Sequence, residues 1–479
     1  MTDQGDGTQQ APTARVMIAL LLPLFAALMS VSSVMVALPA MEEGLGASSS
    51  DLQWVLAGYA LAFGVGLVPA GRAGDLWGRR AFFLAGVSLF GLSSLAAAFA
   101  PTPGALNLLR IVMGLGASML VPQIIGMIQR LFHGSARGRA YGLMSTVIGF
   151  AVAAGPLIGG ALIDLAPPPH SWRLVFLVNV PVVVTGLLAA FLWLPRDEDK
   201  QTTTSAPGSA RGLARLDPVG ALLLTAAIVL IMLPFIQFPN LLGGVLAAAG
   251  SALLGLWLWW EKRTGDRDPE APMVNLRLFA LPSYTWNSAV LILFFAGMPG
   301  IWAVVAIYVQ QGLGHGAFLA GLVTLPSAIM VVLLASQVGK RVERSGPRML
   351  LLGSISAAGS MVVLAAAAWL MDTGYGSLWW VALAMGFNGF AQALIIPSAQ
   401  TLSMQDVPEH MAGAAGGVAQ SAQRVVTAMG LAAVTAVYFG VTAQAGHQFG
   451  MTVSALTIGG FMLLCIASAA GAARRAQRS

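Results

Sequence analysis

The chain reads as an all-α integral membrane protein. Fourteen transmembrane helices are predicted in groups of six, two and six, the two groups of six forming pseudo-symmetric bundles. Three observations predict this. First, 57% of the 479 residues are hydrophobic and only 9% are charged, with mean hydropathy +0.79. A soluble domain carries about 25% charged residues, so lipid must be the solvent. Second, apolar runs near the roughly 20 residues that span a bilayer recur along the whole chain. Third, a polar connector recurs. Gly71-Arg72-Ala73-Gly74-Asp75-Leu76-Trp77-Gly78-Arg79-Arg80 is echoed by Gly339-Lys340-Arg341-Val342-Glu343-Arg344-Ser345-Gly346-Pro347-Arg348. Each copy has a glycine, three residues, a carboxylate, two residues and a glycine, with arginine close behind. Two copies of one hinge imply two related halves that move against each other, the organisation of a transporter.

The elements follow in order. A polar tail, 1–15, carries no cleavable signal pattern. Spans near 16–38, 52–71, 81–100, 105–129, 140–163 and 174–194 make the first bundle, 16–194. A Thr/Ser/Pro-rich charged loop, 195–217, leads to an inserted pair near 218–236 and 241–260, which occupies 218–260. A second charged loop, 261–284, precedes spans near 285–309, 317–338, 348–370, 378–400, 412–440 and 452–472. These form the second bundle, 285–472, and a basic tail, 473–479, closes the chain.

The basic residues test this count. The net charge of +6 and a pI near 9.9 raise the question of nucleic acid, but the placement of charge answers otherwise. With the N-terminus assigned to the cytoplasm, 22 of the 25 Lys and Arg fall in cytoplasmic segments. Arg173 alone falls outside, and Arg110 and Arg424 fall within spans. That bias is the positive-inside rule. A miscount by one span would scramble it, so both termini are expected in the cytoplasm and no nucleic-acid partner is expected. Cys465 is the only cysteine and lies in an apolar run, so no thiolate metal site is expected. No metal cluster, nucleophile–base pair or phosphate loop suggests an enzyme or a cofactor.

Read as physics, Asp75 follows the end of span 2, where an acid cannot help its own helix dipole. Its useful partners are the N-terminus of another helix and cations such as Arg79. Glu343 takes the related position in the second half, and Gly71, Gly78, Gly339 and Gly346 permit tight turning and close approach. Arg80 and Arg348 complete the two copies, which read as gating loops; a merely charged, topology-setting loop is the alternative. Arg110, one to two turns into span 4, is costly in a membrane and therefore a candidate for function, with snorkelling of its long side chain to the nearer interface as the alternative. Arg424, with Gln420 and Gln423 in span 13, is the second internal cation, suited to substrate contact or to helix-to-helix hydrogen bonding. Gly155, Pro156, Gly159 and Gly160 clear one face of span 5 for close packing. Among the soft apolar side chains that suit varied ligands, Met29, Met35, Met113, Phe294, Trp302 and Phe387 are candidates for a central cavity, each of them also suited to packing or to facing lipid.

These motifs, in this order and at these spans, resemble the major facilitator superfamily, specifically its fourteen-span drug:proton antiporter branch. The connector after span 2 is similar to that superfamily's cytoplasmic-loop motif. Leu109-Arg110-Ile111-Val112-Met113-Gly114-Leu115-Gly116 resembles its buried-arginine motif, and Gly155-Pro156-Leu157-Ile158-Gly159-Gly160 its antiporter motif. Flanking stretches agree: Ser171-Trp172-Arg173 with Asn179-Val180-Pro181, and Asn275-Leu276-Arg277-Leu278-Phe279. The resemblance implies a major facilitator fold, and a span 5 that seals the halves at the outer side and is linked to export.

One departure stands out. The resembled branch carries an aspartate in span 1, in a segment ending Asn-Val-Ala-Leu-Pro. Here Ser30 stands in the aspartate's place and Met35 in the asparagine's. None of the 19 acids falls in mid-span, and all five histidines lie in loops. A proton-coupled carrier needs a titrating group exposed to each side in turn, and serine cannot serve. Two internal arginines without buried acids suit neutral or anionic amphiphiles better than cations.

The expected function is secondary export of hydrophobic small molecules, such as drugs or natural-product antibiotics, by alternating access with protons as the driving partner. Uptake or uncoupled facilitated diffusion of a metabolite is the alternative, and a non-transporting receptor or scaffold is disfavoured by the paired gating loops. The expected partners are a small hydrophobic or amphiphilic substrate, protons and the lipid bilayer. Three Lys against 22 Arg, with abundant Ala and Gly, point to a bacterial plasma membrane.

Overall fold

A computed structural model describes residues 10–165, 170–195, 217–237, 241–268, 272–315, 317–373 and 376–476. Most of the expected 195–217 loop and the outer parts of both tails lie outside the described residues. The described residues contain only helices. In order these are α1 (Gln10–Leu45), α2 (Ser49–Trp77), α3 (Arg79–Ala98), α4 (Pro103–Ser118), α5 (Val121–Leu131), α6 (Gly134–Leu165), α7 (Arg173–Leu177) and α8 (Asn179–Trp193). There follow α9 (Pro218–Gln237), α10 (Leu241–Arg267), α11 (Pro282–Ile307), α12 (Ala317–Asp372), α13 (Leu378–Ser403) and α14 (Ala412–Ala476).

Among the described residues, eleven helical segments are long and apolar enough to cross a membrane, two of them of double length, and α9 is a shorter apolar helix. The two long ones fold back. In α12, Ser327 packs on Gly389 while Gly353 packs on Ile395, six residues along α13. A straight helix would hold Ser327 and Gly353 about 39 Å apart, so α12 must reverse between them. In α14 the reversal is at Gly446, whose φ of 85° is open to glycine, and it brings Tyr438 Oη to 2.9 Å from His447 Nδ1.

The structure corrects the sequence reading in four places. The first connector is not a loop over 71–77, because α2 runs on to Trp77 and only Gly78, with φ 106°, breaks the helix. The second connector, 339–348, lies wholly within the helical span of α12. Hydropathy marks where lipid ends, but charged residues do not themselves end a helix, and here the helix continues through the other glycines of the connectors and Pro347. The run 105–129 is bent at residues 119–120, and span 6 is broken at Val178. Each break lies shortly before a proline, Pro122 or Pro181, which cannot donate to the carbonyl four residues back.

The chain divides into two compact units. The first holds Met1–Leu131, Phe150–Leu276 and Pro408–Ser421; the second holds Phe132–Gly149, Arg277–Val407 and Ala422–Ser479. Both α6 and α14 are therefore shared, with the first turns of α14 in the first unit and those of α6 in the second. In the first unit α9 packs on α2 and α10 packs on α9. The core of the second unit is built on α11–α14 around Phe294, Tyr308, Met385 and Tyr438.

Candidate functional site

The first connector closes on the start of α14. Gly71 lies against the Gly413 backbone and Leu67 against Gly417, with no room for a side chain at either glycine of α14. This close approach delivers Asp75 to the helix N-terminus. Gly413 N–H donates to its Oδ1 (3.2 Å) and Ala414 N–H to its Oδ2 (2.9 Å). Backbone donors of a first helical turn lack intrahelical acceptors, and the helix dipole favours an anion there. Arg79 completes the shell: its Nε and Nη2 donate to Asp75 Oδ1 at 3.1 and 2.9 Å. Nη1 donates to Gly126 O (2.6 Å), and Nη2 also to the carbonyl of Glu409. The Asp75 side chain is 1% exposed, so the carboxylate is held by fixed donors in place of water. Arg80 donates to Phe191 O (2.7 Å) and its guanidinium lies 5.6 Å from the Phe191 ring centroid.

The second copy repeats the packing within the second unit. Gly339 lies against Gly138 of α6, and Ala335 against Gly142, the same four-residue stagger as Gly71–Gly413 and Leu67–Gly417. Glu343 stands beside Gly134, which opens α6 with a φ of 53°, as Asp75 stands beside the opening turn of α14. The copies differ in one respect: Glu343 and Arg348 are exposed, whereas Asp75 is buried. Gly346 packs against Val342 and Leu402. The sequence reading missed the partner glycines. Their signal was present as two small-x3-small pairs, Gly138/Gly142 and Gly413/Gly417, a spacing that lets membrane helices approach closely.

Deeper in the first unit, Arg110 is fully buried. Its Nε donates to Val55 O (2.9 Å), its Nη1 reaches Ser30 Oγ at 3.5 Å, and its guanidinium stacks 4.3 Å from the Tyr59 ring centroid. Nη2 has no hydrogen-bond acceptor among the described residues. The structure thus joins two predicted candidates from separate spans: the serine that replaces an expected aspartate sits at the buried arginine. Met113, one turn from Arg110, is buried in packing, and Met35 is 55% exposed. Of the other apolar candidates, Met29 and Phe294 are buried, Trp302 is half-buried and Phe387 is exposed. Gln420, in the first unit, is half-buried; in the second unit Gln423 is buried and Arg424 half-buried.

The glycines of α6 pack on the serines of α1. A methyl on Gly155 would strike Ser32 and the carbonyl of Met29, and one on Gly159 would strike Ser33. Ser32 Oγ donates to Met29 O (3.2 Å) and to Ala151 O (3.4 Å), tying the two helices. Gly160 faces open space, with Val36 no nearer than 4.0 Å, so this glycine is not required by packing. Pro156 lies within α6, and its side chain is outside the described residues.

Comparison with known proteins agrees with this architecture. Residues 20–431 match the sequence profile of the Major Facilitator Superfamily. The chain is 30% identical over 417 residues to a probable actinorhodin transporter of Streptomyces coelicolor, covering 85% of this chain and 69% of that protein. It is 32% identical over 413 residues to the puromycin resistance protein pur8 of Streptomyces alboniger, covering 86% and 78%. Among solved structures, the human organic anion transporter MFSD10 superposes with a TM-score of 0.63 at 16% identity, over 96% of this chain and 99% of that one.

Proposed function

Because the chain belongs to the Major Facilitator Superfamily, we propose that it is a secondary active exporter of hydrophobic small molecules, drugs or natural-product antibiotics, driven by protons. We assign it to the fourteen-span drug:proton antiporter branch. α12 and α14 each count as two spans and α9 as one, the arrangement is six, two and six, and both termini are cytoplasmic in a bacterial plasma membrane. The observation that carries the reading is the kind of relative: a probable antibiotic transporter and an antibiotic resistance protein, each aligned over more than four fifths of the chain. Alternating access supplies the mechanism. The Asp75–Arg79 clasp on the first turn of α14 is a cytoplasmic gate that holds while the outer side is open and releases when the inner side opens. Arg110 and Ser30 form the interior polar site for a neutral or anionic amphiphile, and the α1–α6 glycine seam is the outer seal.

One experiment tests this. The chain is expressed in a drug-sensitised bacterial host, and accumulation of lipophilic antibiotics is measured with and without an uncoupler. Lower accumulation that the uncoupler abolishes is the expected outcome. Equal accumulation in expressing and empty cells refutes export of the compounds tested, and efflux that the uncoupler leaves unchanged refutes proton coupling. The second reading, uncoupled facilitation, is favoured by the Ser30–Arg110 contact, where the group met by the buried cation is a serine hydroxyl. Downhill movement in both directions without sensitivity to uncoupler would establish it.

A further inference from the structure

The inserted pair α9–α10 carries two buried acids, Asp217 just before α9 and Glu261 inside α10, which are 5% and 1% exposed. Sequence alone puts both at the ends of charged loops. In the structure their carboxyl groups crowd one point, since a methyl on Gly220 would meet Asp217 Oδ2 and Glu261 Oε1 together. Asp217 is well supplied with donors. Gly220 N–H donates to Oδ1 at 3.0 Å, and the Trp260 indole N–H lies 3.0 Å from each carboxyl oxygen. Its φ of 47°, uncommon outside glycine, holds it in that position.

Glu261 is supplied only on one side, where Val274 N–H donates to Oε2 at 3.2 Å. Its other oxygen and the buried indole N–H of Trp257 have no partner of hydrogen-bonding geometry among the described residues, although the two are close enough to interact electrostatically. Among the described residues the other charged group acting on Glu261 is Arg72, which lies three residues before Asp75 on α2, the helix on which α9 packs, and which acts on Asp75 as well. Among the described residues, the groups acting on Glu261 are therefore the Asp217 carboxylate, the Arg72 guanidinium, the Trp257 indole and the Val274 backbone N–H.

Two carboxylates side by side and out of water do not both ionise cheaply, and one arginine balances only one negative charge. A proton on Glu261 turns its unpartnered oxygen from an acceptor into a donor facing Asp217. We propose that Asp217 and Glu261 form a proton-binding carboxyl pair that shares one proton, and that its loading and unloading acts on the Asp75 clasp through Arg72. With the proton bound, the pair carries one negative charge and Arg72 serves both Glu261 and Asp75. When the O–H bond breaks and the proton passes to water, the second negative charge draws Arg72 toward the pair and weakens its hold on Asp75. This rests on the proton-coupled reading above and gives that reading a titrating group outside mid-span.

The test uses the full chain in nanodiscs and needs no substrate. Infrared spectra are expected to show the carbonyl stretch of a neutral carboxylic acid at neutral pH, lost in both Glu261→Gln and Asp217→Asn proteins that melt as the wild type does. Hydrogen exchange at Gly413 and Ala414 is expected to change with pH beyond the intrinsic chemical rate in the wild type but not in Glu261→Gln. A band absent from the wild type, or unchanged in both variants, overturns the proposal, as does identical pH dependence of exchange. Should the variants not fold, dicyclohexylcarbodiimide decides: it modifies buried neutral carboxyl groups, so an adduct on Glu261 is expected and none overturns the idea. Uncoupler-insensitive export by the wild type would refute proton-driven transport separately, with the infrared band still reporting on the pair.

Discussion

Replacing Asp75 with asparagine isolates the clasp, because the two side chains have nearly the same shape. The carboxylate accepts four hydrogen bonds, two from the opening turn of α14 and two from Arg79. An asparagine oxygen in the Oδ1 position keeps three of them in weaker, uncharged form. The amide NH2 in the Oδ2 position then faces Ala414 N–H, donor against donor. Arg79 keeps its carbonyl partners, Gly126 and Glu409, but becomes a buried cation without a counter-charge. Removing one member of a buried ion pair costs about 3–5 kcal/mol. A value near 4 kcal/mol corresponds to roughly a thousandfold shift against the clasped state. Hydrogen exchange followed by mass spectrometry reads this directly, since amides in a first helical turn lack intrahelical acceptors and Asp75 is what protects Gly413 and Ala414. The expected result is exchange faster by two to three orders of magnitude, on the order of the shift above, at those two amides, with membrane insertion intact and slower turnover. Unchanged protection, or unimpaired turnover, would show that Asp75 does no more than help set topology.

Further outcomes follow from the geometry. Gly155→Ala drives a methyl into Ser32 and the Met29 carbonyl and is expected to lower stability by about 1–3 kcal/mol, the usual cost of overpacking. Gly160→Ala, facing open space, should leave the melting temperature in detergent unchanged. Gly78→Ala places a side chain at φ 106°. It is expected to destabilise by about 1 kcal/mol or more, seen as a lower melting temperature. Ser30→Asp puts a carboxylate beside Arg110 Nη1 and should be tolerated as a buried ion pair. The same change combined with Arg110→Gln leaves that carboxylate unpaired and should cost about 3–5 kcal/mol by thermal melting; equal stability of the single and double variants would refute the contact.

The sequence by itself determined the properties that are local or cumulative. Hydropathy set the class and the approximate spans, because the transfer energy of about 20 apolar residues adds up along the chain regardless of what they touch. Charge alternation supplied an expected orientation, and the repeated glycine–acid–glycine skeleton an expectation of two related halves. Asp75 was also legible, since an acid at the end of its own helix needs another helix's N-terminus as a partner. Which N-terminus was not legible: Gly413 lies 338 residues away, and only packing of Gly71 on Gly413 brings the two together. The same holds for Ser30 and Arg110, separated by 80 residues, and for Asp217 and Glu261, which look like ordinary loop acids until α9 packs on α2 and α10 on α9. Tertiary structure also decided that the connectors are largely helical, because charge ends a membrane span without ending a helix. The burial of a charge and the identity of its partner depend on contacts distant in sequence, and those the linear pattern does not carry.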